Sequence, residues 1–178
     1  ASPYGDITRG LTYKINSHDT LIGRKIELMI NQKMVDLGYK KAVGNTADLE
    51  VAYDYKVEQT GSHKPYNPPP LQNPDQQLPI TRGINAFLIQ QAKNGPIPIY
   101  TKSVAINITK NGKKYWEGKV SEEGWCNQIL VTSPAIIAAI FSDFPNEHLG
   151  TVIKKDLSKP DVVELKKLFP ENMNWSCK

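Results

Sequence analysis

Between residues 21 and 58 the hydrophobic period changes from that of a helix to that of a strand, and this change restricts the fold more than any other feature of the chain. From Leu21 to Leu37, Ile22, Ile26, Met29, Ile30, Met34 and Leu37 recur at spacings of three and four, the signature of an amphipathic helix with one apolar stripe. Arg24, Glu27, Asn31, Gln32 and Asp36 occupy the other side. Asp19-Thr20 offers an N-cap, and Gly38 stands where a left-handed C-terminal cap wants a residue without Cβ. From Asp48 to Glu58 the period becomes two. Leu49, Val51, Tyr53, Tyr55 and Val57 then alternate with polar residues and Ala52, as in a strand with one buried face. A helix packed on a sheet is expected, with Met29 and Met34 as core and the Tyr53–Tyr55 pair packed inward rather than serving as a platform.

The rest of the chain extends this pattern. A short strand is expected over Ile7 to Ile15. Gly61 to Thr81 carries six of the 13 prolines and cannot continue a sheet interior, so it reads as a long surface connection. Within it, Tyr66-Asn67-Pro68-Pro69-Pro70 has the composition of a polyproline II recognition element. Arg82 to Gln91 reads as a strand buried on both faces, with a helix as the alternative, and Asn94-Gly95-Pro96 as a turn. Ile97 to Thr109 follows as a strand with Tyr100, Val104, Ile106 and Ile108 on one face. Asn111-Gly112 predicts a tight hairpin of the primed type, and Lys113 to Ser121 the returning strand. Ser133-Pro134 is expected to open a second helix, Ser133 as its cap and Pro134 in the first turn. Ile136, Ile137, Ile140, Phe141 and Phe144 form its apolar face, and Pro145 ends it. A last helix, Asp161 to Phe169, would dock through Val162, Leu165 and Phe169. The expected organisation is a single α/β domain over residues 1–158, with the proline-rich insertion at 61–81. A C-terminal short helix and tail, 159–178, packs on the same domain.

With 178 residues, 39% of them hydrophobic and 22% charged, the chain can bury a core without depending on metals or staples. No apolar run reaches the roughly 18 residues of a membrane span. Twenty-two Lys plus Arg against 18 Asp plus Glu give a net charge of +4, but only Arg9, Arg24 and Arg82 are arginines and the lysines are scattered. That is a solvated mixed-charge surface and argues against a nucleic-acid partner. The start, Ala1-Ser2-Pro3, is what a processed mature protein or a trimmed chain shows. Cys126 and Cys177 form an even pair that an exported protein could oxidise into a disulfide, pinning the tail to the body.

Specific residues match a family at this point. Leu37-Gly38-Tyr39, Ala47-Asp48-Leu49-Glu50-Val51, the segment from Lys110 to Lys119 with its turn followed by Trp116-Glu117-Gly118, and the helix ending Phe144-Pro145 together resemble the domain-of-unknown-function 4136 family of bacterial envelope lipoproteins. The likeness touches most of residues 5–155 and its motifs are structural. It implies an α+β fold, a two-layer α/β sandwich in which helices pack on one face of a mainly antiparallel sheet, and a location in the cell envelope. No lipidation cysteine stands at the start, so periplasmic or secreted export is as compatible as lipid anchoring. No catalytic residue is carried across.

The search for chemistry finds no nucleophile elbow, phosphate loop, Cys-x-x-Cys or His-Glu-x-x-His. His18, His63 and His148 lack ligand spacing, so no metal and no cofactor are expected. His63 and His148 read as exposed loop residues. Cys126, between Trp125 and Asn127, could be a thiol nucleophile only if it is not bridged. Asn107-Ile108-Thr109 and Asn174-Trp175-Ser176 match the glycosylation pattern, by chance in a bacterial protein. The expected function is a non-enzymatic periplasmic, outer-membrane-associated or secreted module that binds a protein or cell-surface component. Its candidate contact residues are Tyr66, Pro68, Pro69, Pro70, Trp116 and Trp125, together with a sheet edge through which the chain could also pair with a second copy. The alternative is a small enzyme or carbohydrate-binding module with a site near Trp125, Glu122, Glu123 and His148.

Overall fold

The computed structural model describes residues 10–63, 95–146, 148–152 (main chain) and 159–170. Its elements are β1 (Thr12–Ile15), α1 (Leu21–Asp36), β2 (Lys40–Lys41), β3 (Leu49–His63), β4 (Ile97–Lys110), β5 (Lys113–Gly124), α2 (Ile129–Ser142), β6 (His148–Val152) and α3 (Pro160–Lys167). The strands form one sheet in the order β2-β1-β3-β4-β5-β6. Long antiparallel pairings join β3, β4 and β5, and short parallel ones flank them, β1 with β2 and β3 on one side and β5 with β6 on the other. Parallel neighbours need a crossover, which α1 provides between β1 and β3 and α2 between β5 and β6. The fold is α+β with a mostly antiparallel sheet.

The first helix is explained by its local chemistry. Thr20 caps α1, its Oγ1 accepting from Gly23 N–H at 2.9 Å, and Gly38 follows the helix with a φ of +89°. The stripe buries Ile26, Met29, Ile30 and Met34 against the sheet residues Leu49, Val51, Tyr53, Val104, Ile106 and Ile108. At the β4–β5 turn Asn111 and Gly112 both take positive φ, 50° and 73°, as a primed hairpin requires. Asp48 ties the start of β3 to β1. Its Oδ2 accepts from the Thr12 N–H and hydroxyl, each at 2.8 Å, and these bonds hold its carboxyl below the usual range.

Three expectations are corrected. The second helix starts at Ile129, not at Ser133-Pro134, so Pro134 lies inside it. The Pro134 ring removes the donor for the Leu130 carbonyl, and the buried Ser133 hydroxyl bonds that carbonyl instead at 3.1 Å. Ser133 is thus a substitute for a missing main-chain donor, not a cap. His148 opens strand β6 opposite Gly118 and is not in a loop. β3 runs on through His63, so Gly61, Ser62 and His63 belong to the sheet rather than to the proline-rich insertion. α3 buries Val162 and Leu165, with Phe169 buried just beyond it. The predicted strand at 82–91 and the insertion from 64 onward lie outside the described residues.

Candidate functional site

The geometry of interest arises because β1 is short and β3 is long. β1 ends at Ile15 opposite Val51, whose carbonyl accepts from Asn16 N–H at 2.9 Å. In a strand the next group on that side belongs two residues on, and it is the Tyr53 carbonyl, bonded at 2.7 Å by His18 Nε2. A ring N–H of His18 therefore donates where β1 would have offered a main-chain one. The His18 ring lies 4.7 Å from that of Tyr53, and the buried Tyr53 hydroxyl donates to the Gly23 carbonyl at 2.8 Å. Burial raises the Tyr53 hydroxyl above the ordinary tyrosine range. Tyr55, two residues on, is half-buried, and its hydroxyl meets the capping Thr20 Oγ1 at 2.8 Å.

Beyond Tyr53 the outer edge of β3 is open among the described residues. Tyr55 N–H is bonded at 2.9 Å by the neighbouring Asp54 carboxylate, a local shield. By the same alternation the N–H and C=O groups of Val57 and Gln59 point away from β4, and no described strand pairs with them. A register shift between Gln59 and Gly61 ends this stretch.

Beside the open edge, on the helix-covered face, is a cavity of about 480 Å³ lined by Ile22 of α1, Tyr55 and Val57 of β3, and residues 127–130 at the start of α2. Leu21, 70% exposed, adds apolar surface one residue before Ile22. Close by, Lys102 of β4, opposite Val57 in register, is 0% exposed. Its ammonium pairs with Glu122 Oε2 at 2.6 Å and donates to the Cys126 carbonyl at 2.5 Å. This buried ion pair fixes the loop from β5 to α2, and so the wall of the cavity. Sequence reading missed it, although Lys102 falls on the apolar alternation of Tyr100, Val104, Ile106 and Ile108.

Among the described residues, the sequence-derived candidates Trp116 and Trp125 are not brought together, one being buried and the other exposed. Trp116 is corrected outright. It is 0% exposed, stacked on Phe141 at 5.4 Å with Nε1 donating to the Asn146 carbonyl at 2.9 Å, and from the core it touches no partner. Trp125 is 52% exposed. Glu122 is engaged by Lys102, and Glu123 points to the opposite face of the sheet. His148 lies opposite Gly118 while Val152 lies opposite Glu122, which sets His148 and Glu122 roughly 13 Å apart along the strands. The main-chain register thus sets His148 apart from Glu122. Tyr66, Pro68, Pro69, Pro70 and Cys177 lie outside the described residues. Cys126 is not a free thiol. Among the described residues no three His, Cys, Asp or Glu side chains gather as a metal site, and no helix is long and apolar enough to cross a membrane.

No family model and no curated protein sequence matches the chain, so the likeness to the domain-of-unknown-function 4136 family rests on the motifs quoted above. Among solved structures, a PDZ domain protein from Parabacteroides distasonis aligns over 75% of this chain and 32% of its own length, with 14% identity and a TM-score of 0.36. The chain thus spans about a third of that protein.

Proposed function

We propose that this protein is a non-catalytic binding module that takes up an extended segment of a partner protein along the outer edge of β3. The observation that carries the reading is the run at Val57 and Gln59, two residues whose outward main chain has no partner among the described residues, lying beside the apolar cavity. An added strand would take these N–H and C=O groups into a ladder. Its side chains would alternate, and one apolar side chain on the helix face would reach the cavity edged by Ile22, Tyr55 and Val57. Main-chain bonds would supply affinity, and the cavity would supply selectivity for that side chain.

Selection from a random peptide display library tests this. Enriched peptides are expected to share one aliphatic or aromatic residue flanked by β-forming residues. Gln59→Pro removes an outward donor that no described residue accepts from, so the variant keeps its thermal midpoint yet binds about tenfold more weakly, the worth of one lost main-chain bond. No enrichment, or binding indifferent to Gln59→Pro, would refute the reading.

The same proposal locates the module in the bacterial cell envelope, periplasmic or secreted. Its support is the resemblance of the motifs and the Cys126–Cys177 pair, which would be bridged there. Alkylation of the denatured, unreduced protein followed by intact mass is expected to label neither cysteine. Double labelling would remove the support for export.

A further inference from the structure

At the opposite end of the sheet from this edge, the β4–β5 hairpin borders a second cavity, about 340 Å³, lined by Lys110, Asn111, Lys113, Lys114 and Tyr115. Lys110 and Lys113 are direct cross-strand partners next to the turn. Like charges placed opposite each other destabilise a hairpin, so the arrangement costs stability unless an anion lies between them. The carboxylates nearby are otherwise engaged. Glu117 pairs with Lys114, and exposed Asp48, whose charge Lys110 feels, is bonded to Thr12. Among the described residues no carboxylate reaches Lys110 or Lys113 at ion-pair distance. Exposed Lys40 and Lys41 stand at the same end, Lys41 level with Tyr13, Leu49 and Lys110 across three adjacent strands and so about 15 Å from Lys110. The buried hydroxyls of Tyr39 and of the cavity residue Tyr115 have no well-formed hydrogen bond among the described residues. Burial, with the neighbouring Tyr115 hydroxyl, pushes Tyr39 up, so it stays a neutral donor.

We propose that this lysine-lined cavity binds a phosphate-type oxyanion, held by Lys110 and Lys113. Ammonium groups on flexible stems suit a multiply charged, rounded anion as point charges, and the volume admits a phosphate ester as readily as free phosphate. Two sources carry that chemistry, an anionic lipid headgroup and a soluble phosphate compound.

The test is titration of the isotope-labelled protein with inorganic phosphate at ionic strength held constant with sodium chloride. The amides of residues 110–115 are expected to shift saturably. Lys110→Gln combined with Lys113→Gln, which relieves the cross-strand repulsion and so leaves the thermal midpoint equal or higher, should weaken binding at least about tenfold. Shifts that do not saturate, that chloride reproduces, or that the double variant retains overturn the proposal. Co-sedimentation with phosphatidylglycerol vesicles but not phosphatidylcholine ones, lost in the double variant, assigns the site to a headgroup. Saturable phosphate binding without vesicle binding assigns it to a soluble phosphate compound.

Discussion

Lys102→Ala should cost about 3–5 kcal/mol of unfolding free energy, the price of removing one partner of a buried pair. The ammonium it deletes is wholly buried against Glu122, whose side chain is only 14% exposed, and against the Cys126 carbonyl. Its loss strands a carboxylate and a carbonyl together. Replacing both charges with apolar residues of similar shape, Lys102→Met with Glu122→Leu, should restore most of the loss, because nothing charged is then left unpaired. Urea unfolding of the two variants measures both values. If Lys102→Ala and the double variant are equally unstable, the cost lies in lost packing rather than in the stranded charge. Lys102→Ala should also loosen the loop that leads into α2, so the cavity beside β3 should bind peptides less well even under conditions where the variant is folded.

Trp116→Ala is the second large expected effect, again about 3–5 kcal/mol, from deletion of a fully buried indole. The ring stacks on Phe141 and lies 5.2 Å from Phe144, and its N–H satisfies the Asn146 carbonyl, so cavity and unpaired acceptor appear together. The site is also closed to enlargement. A Cβ built on Gly118 would lie 2.6 Å from the indole and 2.7 Å from Ile140, so the glycine is there to let the ring lie across the strand. Trp116→Phe, which preserves most of the fill, should fold, with affinity for selected peptides unchanged. Thermal melts paired with peptide titration check this. A variant that is stable yet no longer binds would return Trp116 to the contact surface.

Much of the fold could be read in the sequence because period and turn chemistry are local. The α1 stripe, the alternation through β3 and the Asn111-Gly112 hairpin needed no tertiary information, and the helical layer on the sheet followed from them. α2 was misplaced because Ser-Pro is a strong start signal locally, whereas the compensation that allows Pro134 inside the helix is a hydroxyl bond to Leu130. β6 was missed because a five-residue strand takes its identity from the β5 edge it joins. The site was less legible still. An aromatic such as Trp116 looks the same in sequence whether it packs or binds. Among the described residues the edge opens because β1 stops at Ile15 while β3 continues, a length mismatch visible once the two strands are paired. His18, read as a non-ligand, closes part of that edge through a contact with residue 53 that no spacing rule predicts.

Amide hydrogen exchange along β3, with and without a peptide selected on the protein, tests the central claim most directly. The amides of Val57 and Gln59 should exchange quickly in the free protein and gain strong protection on binding, while those of Lys56 and Glu58, already paired with β4, should change little. Protection of Val57 and Gln59 before any peptide is added, or binding that protects other amides and leaves these two exchanging, would contradict the account.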